Sequence, residues 1–162
     1  MKIKAGIIGG AGYTGGETLR LLLHHPQVDI GFVQSRSQAG KPVTTTHPDL
    51  MGETELIYSA DFNQPVDVLF LCLSHGESKK LLSDNPFPAT TRIIDLGNDF
   101  RLGDSVADRE FVYGLPEFQR DKIKLAKNIA NPGCFATTIQ LGLLPLAQAG
   151  LLQAVHTTGI TG

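Results

Sequence analysis

Short apolar runs alternate with amphipathic segments along this chain. Ile3 to Ile8, Asp29 to Gln34, Val66 to Leu73 and Arg92 to Leu96 read as buried strands. The third is apolar at nearly every position, as a central parallel strand requires. Tyr13 to His25 predicts a helix with Leu19, Leu22 and Leu23 as its core stripe, stopped by Pro26. Gly76 to Leu82 predicts a shorter helix. Strands alternating with helices predict a sheet covered on both faces: an α/β fold, doubly wound and mostly parallel.

The second half is less regular. Arg36 to Glu55, rich in Thr, Pro, Gly and Ser, reads as a long surface loop of the length that often carries function. Asn98 to Lys124 is mixed and polar, with one short strand at Phe111 to Tyr113. Asn131-Pro132-Gly133 predicts a turn, and Cys134 to Ala149 a helix with Phe135, Ile139, Gly142, Leu143 and Leu146 on one side. Pro145 should kink or split that helix, because it removes a backbone donor. Val155 to Ile160 reads as a final strand. No internal repeat or low-complexity linker interrupts the chain.

A chain of 162 residues, 41% apolar and 19% charged, has room for one domain with a full core. Nothing in it is long and apolar enough for a membrane span, and Gly9-Gly10 ends the first apolar run too early for a signal peptide. The net charge of −2 gives no electrostatic reason for nucleic acid or an anionic membrane as partner. The two cysteines, Cys72 and Cys134, stand far apart without a secretory signal, so no disulfide is expected and the compartment reads as cytoplasmic. No His/Cys spacing indicates a metal site.

The first strand runs into Gly10-Ala11-Gly12-Tyr13-Thr14-Gly15, which fits G-x-G-x-x-G with a strand before it and a helix after it. In that setting the first glycine permits a tight turn, the second lets backbone approach a pyrophosphate, and the third packs helix on strand. The helix N-terminus then faces the phosphates. This is a Rossmann-like reading. An acidic residue usually ends the second strand, where it meets the ribose of NAD. Here Gln34-Ser35-Arg36-Ser37 stands instead. A guanidinium with two hydroxyls suits a 2′-phosphate, so NADP(H) is the expected cofactor.

Cys134 opens a helix, where the helix dipole stabilises a thiolate and makes the residue a candidate nucleophile. Residue type alone leaves a buried structural cysteine open. Cys72, inside a central strand, reads as core. His24 and His25 end a helix and need no function, while His47 and His156 have no supporting pattern. Ser74-His75-Gly76 follows the third strand at its carboxyl end, where open α/β sheets bind ligands, and is a candidate cofactor contact.

Six segments together resemble one family, N-acetyl-gamma-glutamyl-phosphate reductase. They are GGAGYTGGE (9–17), QSRS (34–37), LSHG (73–76), DLGNDFRL (95–102), YGLPE (113–117) and NPGCFATT (131–138). YGLPE with NPGCFAT is the specific part. The resemblance implies NADPH-dependent reduction of N-acetyl-glutamyl 5-phosphate to the 5-semialdehyde, with Cys134 as catalytic nucleophile passing through a thioester. It also implies substrate contacts from Arg101 and Asn131. The sequence departs from the pattern at Ala11 and in GNDFR, neither of which removes a group with a defined chemical role.

The resemblance further implies two regions: 1–133 as the NADP-binding domain, and 134–162 as the cysteine helix entering a second domain. That second domain would supply the histidine base and the surface of a homo-oligomer. Ending at Thr161-Gly162, the chain then reads as the first part of a longer protein. Aspartate-semialdehyde dehydrogenase or a lysine-pathway relative, with the same cysteine chemistry on another acyl phosphate, is the nearest rival. A nucleotide-binding module without chemistry is the rival of another class, and by themselves these 162 residues are expected to bind cofactor without turning over, because the expected base is absent.

Overall fold

The computed structural model describes residues 1–160. Nine strands and four helices follow in chain order: β1 (Ile3–Ile8), α1 (Tyr13–Leu23), β2 (Val28–Gln34), β3 (Tyr58–Ser59), β4 (Val68–Leu71), α2 (Glu77–Asp84), β5 (Arg92–Asp95), β6 (Ser105–Val106), β7 (Arg109–Glu110), β8 (Val112–Tyr113), α3 (Pro116–Leu125), β9 (Asn128–Ala130) and α4 (Cys134–Gln148). Seven strands form one parallel sheet in the order β3-β2-β1-β4-β5-β9-β8, and β6 and β7 make a separate antiparallel hairpin. Chain direction across the sheet reverses between β1 and β4, and at such a switch point a crevice opens above the carboxyl ends of the strands.

The pleat explains why both faces are covered. Ile7 and Ile8 are adjacent in β1 and enter different cores, as do Phe32 and Val33 in β2. One core gathers Ala5, Ile7, Leu19, Leu22, Val33, Val43, Leu50 and Tyr58 under α1 and the segment after β2. The other joins Ile8, Phe32, Leu69, Leu71 and Ile93 to Leu82 of α2 and to Phe100 and Phe111, whose rings stack at 3.9 Å. Alternate residues of one strand thus serve opposite layers, which is the doubly wound arrangement.

Several elements differ from the sequence reading. The segment 36–55 is not simply surface loop. It contains two 3-10 turns, Val43–Thr45 and Pro48–Leu50, and buries Val43, His47 and Leu50. The central strand is shorter than predicted, ending at Leu71, although the Cys72 N–H still donates to the Ile8 carbonyl at 2.8 Å. α3 and β9 are additional. Helix α3 buries no residue and β9 spans three, so neither displays a hydrophobic period. Arg109 secures that region, donating to the carbonyls of Phe87, Pro88 and Thr91 and to the Asn128 side chain.

Pro145 does not split α4, which continues to Gln148. Lying near the end of the helix, it removes only the bond that Leu141 would have accepted, and Leu141 is exposed. Val155 to Ile160 forms no strand. It is exposed and has no ladder partner, although Gly159 lies against the Phe135 ring. Thr161 and Gly162 lie outside the described residues.

Candidate active site

The glycine loop joins β1 to α1 at the switch point. Most of its glycines are required by the protein's own packing. Gly9 has φ +82°, and a Cβ there would lie 2.3 Å from the Cys72 carbonyl oxygen. At Gly10 a Cβ would meet Val33 at 2.2 Å, and at Gly15 the Gly9 and Gly10 backbone at 2.6 Å. Gly12 differs. A Cβ there would find only the Gly9 carbonyl oxygen, at an ordinary 3.6 Å. The space over Gly12 is therefore open.

Backbone polar groups in this loop divide the same way. The Gly9 and Gly10 N–H groups both donate to the Gln34 carbonyl, at 3.1 and 3.0 Å, and Gly12 N–H donates to the Gly9 carbonyl at 3.2 Å. The first helical bond of α1 runs from Gly16 N–H to the Gly12 carbonyl. Among the described residues the N–H groups of Ala11, Tyr13, Thr14 and Gly15 have no acceptor, no side chain caps α1, and its first turn holds no acid. This leaves a helix N-terminus ready for an anion.

At the end of β2, Ser35 is buried and Ser37 exposed, with their hydroxyls 3.4 Å apart. The Ser35 N–H donates to the Ser59 carbonyl, so β3 fixes this corner. Arg36 is exposed and makes no ion pair among the described residues. A free guanidinium beside two hydroxyls thus borders the glycine loop.

The Ser74-His75-Gly76 turn after β4 is held by two carboxylates. Glu77 accepts the Ser74 N–H at 3.0 Å. Asp99 accepts the Gly76 N–H at 2.7 Å and the Lys79 N–H at 2.9 Å. Buried Asp99 thus fills the N-terminus of α2 from another segment, as an N-cap side chain would. The exposed His75 ring rests against Asn98 and Asp99, with Nδ1 3.2 Å from the Asp99 carboxylate. Of the helix starts along this edge, that of α2 is occupied and that of α1 is open.

Cys134 begins α4 after a short turn from β9. Its thiol is exposed, Gly133 occupies the N-cap with no side-chain cap, and the first turn holds no acid. The turn is fastened to β5 because the Asn131 N–H donates to the Asp95 carbonyl at 2.8 Å. Arg101 fastens it a second time: Nε donates to the Asn131 carbonyl at 2.9 Å and Nη2 to the Leu96 carbonyl at 3.1 Å. Its Nη1 faces Gly133, where a Cβ would stand 2.8 Å away. Arg101, Tyr113, Gly133 and Gln140 line a cavity of about 400 Å³ beside the cysteine turn. The Asn131 side-chain amide donates to the Pro132 carbonyl and stays exposed.

Cys72 has the opposite environment. Burial pushes its thiol up to about 11, and the nearest polar partner is the Thr18 hydroxyl at 3.6 Å. A larger cavity of about 600 Å³ lies at the amino ends of the strands, bordered by Lys4, Asp67 and Thr91. It is at the opposite edge from the glycine loop. Among the described residues no His/Cys/Asp/Glu group could hold a metal ion, and no helix is long and apolar enough to cross a membrane.

One residue close to the loop has no signature in the chain's periodicity. His47 is buried, with Nε2 2.8 Å from the Gly10 carbonyl. The clue available was Gly16. The fingerprint needs no glycine there, but a Cβ at Gly16 would lie 2.5 Å from the imidazole.

Comparison with known proteins identifies the family of the chain. A family model described as semialdehyde dehydrogenase, NAD binding domain, matches residues 4–126. A protein of Christiangramia forsetii named N-acetyl-gamma-glutamyl-phosphate reductase is 53% identical over 99% of this chain and 50% of its own length. One of the same name from Flavobacterium johnsoniae is 54% identical over 99% of this chain and 51% of its own length. The chain spans about half the length of the curated relatives it matches. In fold it is similar to aspartate semialdehyde dehydrogenase with NADP from Candida albicans, at TM-score 0.64 and 17% identity over 94% of this chain and 48% of that one. The Francisella tularensis enzyme matches at TM-score 0.67 and 18% identity, over 91% of this chain and 41% of that one. With a parallel sheet, a glycine loop at its switch point and this match over most of its length, the chain belongs to the semialdehyde dehydrogenase NAD-binding domain family.

Proposed function

We propose that this chain is the NADP(H)-binding and nucleophile-bearing part of an N-acetyl-gamma-glutamyl-phosphate reductase. One observation carries the reading: an open helix N-terminus at the glycine loop and an exposed thiol at a second helix start share the carboxyl edge of one sheet. β1 and β9 are separated by three strand spacings, roughly 14 Å. The name shared by the half-length relatives supports the substrate.

The residues fit an NADP molecule. The free N–H groups of Ala11, Tyr13, Thr14 and Gly15 suit a pyrophosphate, and the absent Cβ of Gly12 lets it approach. Ser35, Arg36 and Ser37 suit the 2′-phosphate, and the Ser74-His75-Gly76 turn suits the rest of the dinucleotide across the switch point. When bound, the reduced nicotinamide supplies a hydride to the acyl carbon.

Cys134 Sγ attacks the carbonyl carbon of the acyl phosphate, the C–O bond to phosphate breaks, and inorganic phosphate leaves with that electron pair. A thioester on Sγ remains. After hydride delivery the thiohemiacetal collapses, releasing the aldehyde and returning the thiol. The attack needs the thiol proton removed, a task that the histidine base of the second domain would perform. Arg101 and Asn131 hold the turn that aims the sulfur, and the Arg101 Nη1 group faces the cavity that would take an anionic end of the substrate.

Residues 1–133 form the cofactor-binding unit in this reading, and 134–162 lead into a second one. Helix α4 supports that division, since none of its residues is buried and Phe135, Leu141 and Leu146 are exposed. A second domain would cover this face, supply the histidine base and provide the contacts of a homo-oligomer. The compartment of such a biosynthetic enzyme is the cytoplasm.

Steady-state oxidation of NADPH by N-acetyl-glutamyl 5-phosphate, measured on the full-length protein that includes the second domain, tests the proposal, with aspartyl phosphate as comparator. Cys134→Ser should abolish turnover and leave NADP(H) binding intact, whereas Cys72→Ala should retain both. Turnover surviving in Cys134→Ser, or preference for aspartyl phosphate, would overturn it.

A further inference from the structure

We propose that His47 is a positioning residue for the phosphate-binding loop: it sets the peptide that presents the Ala11 N–H to the dinucleotide. This rests on the glycine loop being the NADP(H) site. His47 comes from the segment after β2, far from the loop in sequence. Its Nε2 lies 2.8 Å from the Gly10 carbonyl oxygen, which can only accept, so the ring is the donor. Tyr58 donates its hydroxyl to the same oxygen at 3.4 Å, and that hydroxyl pairs with Thr46 Oγ1 at 2.6 Å. One carbonyl of the loop thus collects two buried side-chain donors.

Peptide geometry gives this consequence. No peptide bond here is cis, and in a trans peptide the C=O and the following N–H point to opposite sides. Fixing the Gly10 C=O toward His47 and Tyr58 turns the Ala11 N–H the other way. That N–H is one of the four loop donors without a protein acceptor. The Gly10 N–H is held by Gln34, so both ends of this residue are fastened.

The histidine is itself locked. Gly16 leaves room for the ring: a Cβ there would stand 2.5 Å from Cε1 and 2.6 Å from Nδ1. Two residues further on, Asp49 makes a two-pronged pair with Arg20 of α1, Nε to Oδ2 at 2.6 Å and Nη2 to Oδ1 at 2.7 Å. Segment, ring and glycine loop are therefore tied to one another by direct contacts. A ligand binding the loop finds its donors already oriented, and such preorganisation raises affinity by lowering the ordering cost.

The test separates loop geometry from general stability. Dissociation constants of NADP+ and of adenosine 2′-monophosphate, which lacks the pyrophosphate, are measured by calorimetry for the native protein, His47→Ala, His47→Gln and Tyr58→Phe. His47→Ala should weaken NADP+ by about tenfold, the scale of one lost buried hydrogen bond. Adenosine 2′-monophosphate should bind it unchanged. His47→Gln, which retains a donor, should recover part of the NADP+ affinity, and Tyr58→Phe should lose less than His47→Ala. In amide NMR spectra of the free protein, the Ala11 resonance should shift in His47→Ala and return toward its native position in His47→Gln. If His47→Ala does not fold, the ratio of the two constants in His47→Gln and Tyr58→Phe carries the decision. Equal weakening of both ligands, or an unchanged ratio in folded variants, overturns the role of His47. Failure of the native protein to bind NADP+ overturns the site itself.

Discussion

Arg101 and Asn131 are joined by one hydrogen bond, Nε to carbonyl oxygen at 2.9 Å, and it sets the backbone three residues before the Cys134 thiol. With Nη2 on the Leu96 carbonyl, the same guanidinium spans the ends of β5 and β9. Lysine can supply the charge but not this fork. Arg101→Lys should therefore lose nearly as much kcat as Arg101→Ala, on the order of 10²-fold for a misplaced nucleophile. Steady-state kinetics decide the point. A lysine variant with native kcat and a raised KM would show that charge toward substrate is the whole of its contribution.

Gly12 and Gly15 belong to one fingerprint and should fail for different reasons. Gly15→Ala puts a methyl 2.6 Å from the Gly9 and Gly10 backbone, so the loop must shift, and stability should fall by about 1–3 kcal/mol. Gly12→Ala meets no obstacle in the protein, its nearest contact being 3.6 Å. It should melt within a few degrees of the native protein and lose NADP(H) binding by tenfold or more. Thermal melts beside cofactor titrations would show whether the losses separate in this way.

Cofactor choice should turn on Arg36, which is exposed and unpaired among the described residues. Arg36→Asp should weaken NADP(H) binding at least tenfold and spare NAD(H), since a carboxylate repels a 2′-phosphate and suits a free ribose hydroxyl. Equal native affinity for the two cofactors would contradict this assignment.

The residues that could be read from the sequence were those whose role is set locally. Strand β1, the glycine loop and α1 follow one another, and their periods and glycine spacing stand in a single stretch. Cys134 at a helix start could be read in the same way. His47 could not, because its partner is a carbonyl 37 residues earlier and its own surroundings are polar loop. Asp99, which caps α2 from another segment, was hidden for the same reason. Strands β3, β6, β7 and β9 are too short to show alternation, and α3 buries no side chain, so its sequence has no apolar stripe. The reading of Val155 to Ile160 as strand failed because apolar residues alone do not supply a ladder partner.

Asp95 should make the fold sensitive to pH. It is fully buried at the end of β5, accepts from Ser78 Oγ at 2.6 Å and from the Gly97 N–H at 3.2 Å, and leaves Oδ2 without a partner. Burial pushes its carboxyl above the ordinary carboxylate range. Because the folded state holds this proton more tightly than the unfolded one, its contribution is fully present below the unfolded value and is lost as pH rises through the folded value. Asp95→Asn does not titrate, so its melting temperature relative to the native protein should rise between pH 4 and pH 8. A difference that stays flat across that range would place the proton elsewhere.

The position of β9 between β5 and β8 has a consequence for the order of assembly. Both of its neighbours precede it in the chain, so on emergence from a ribosome the sheet stops at β5 until β9 arrives. Until then β8, whose ladder partner among the described residues is β9, has no place on the sheet. Cys134 comes four residues after β9 and is aimed by bonds to Asp95 and Arg101 that require β9 in place. The Cys134 sulfur thus reaches its place at the sheet edge only once β9 has paired with β5.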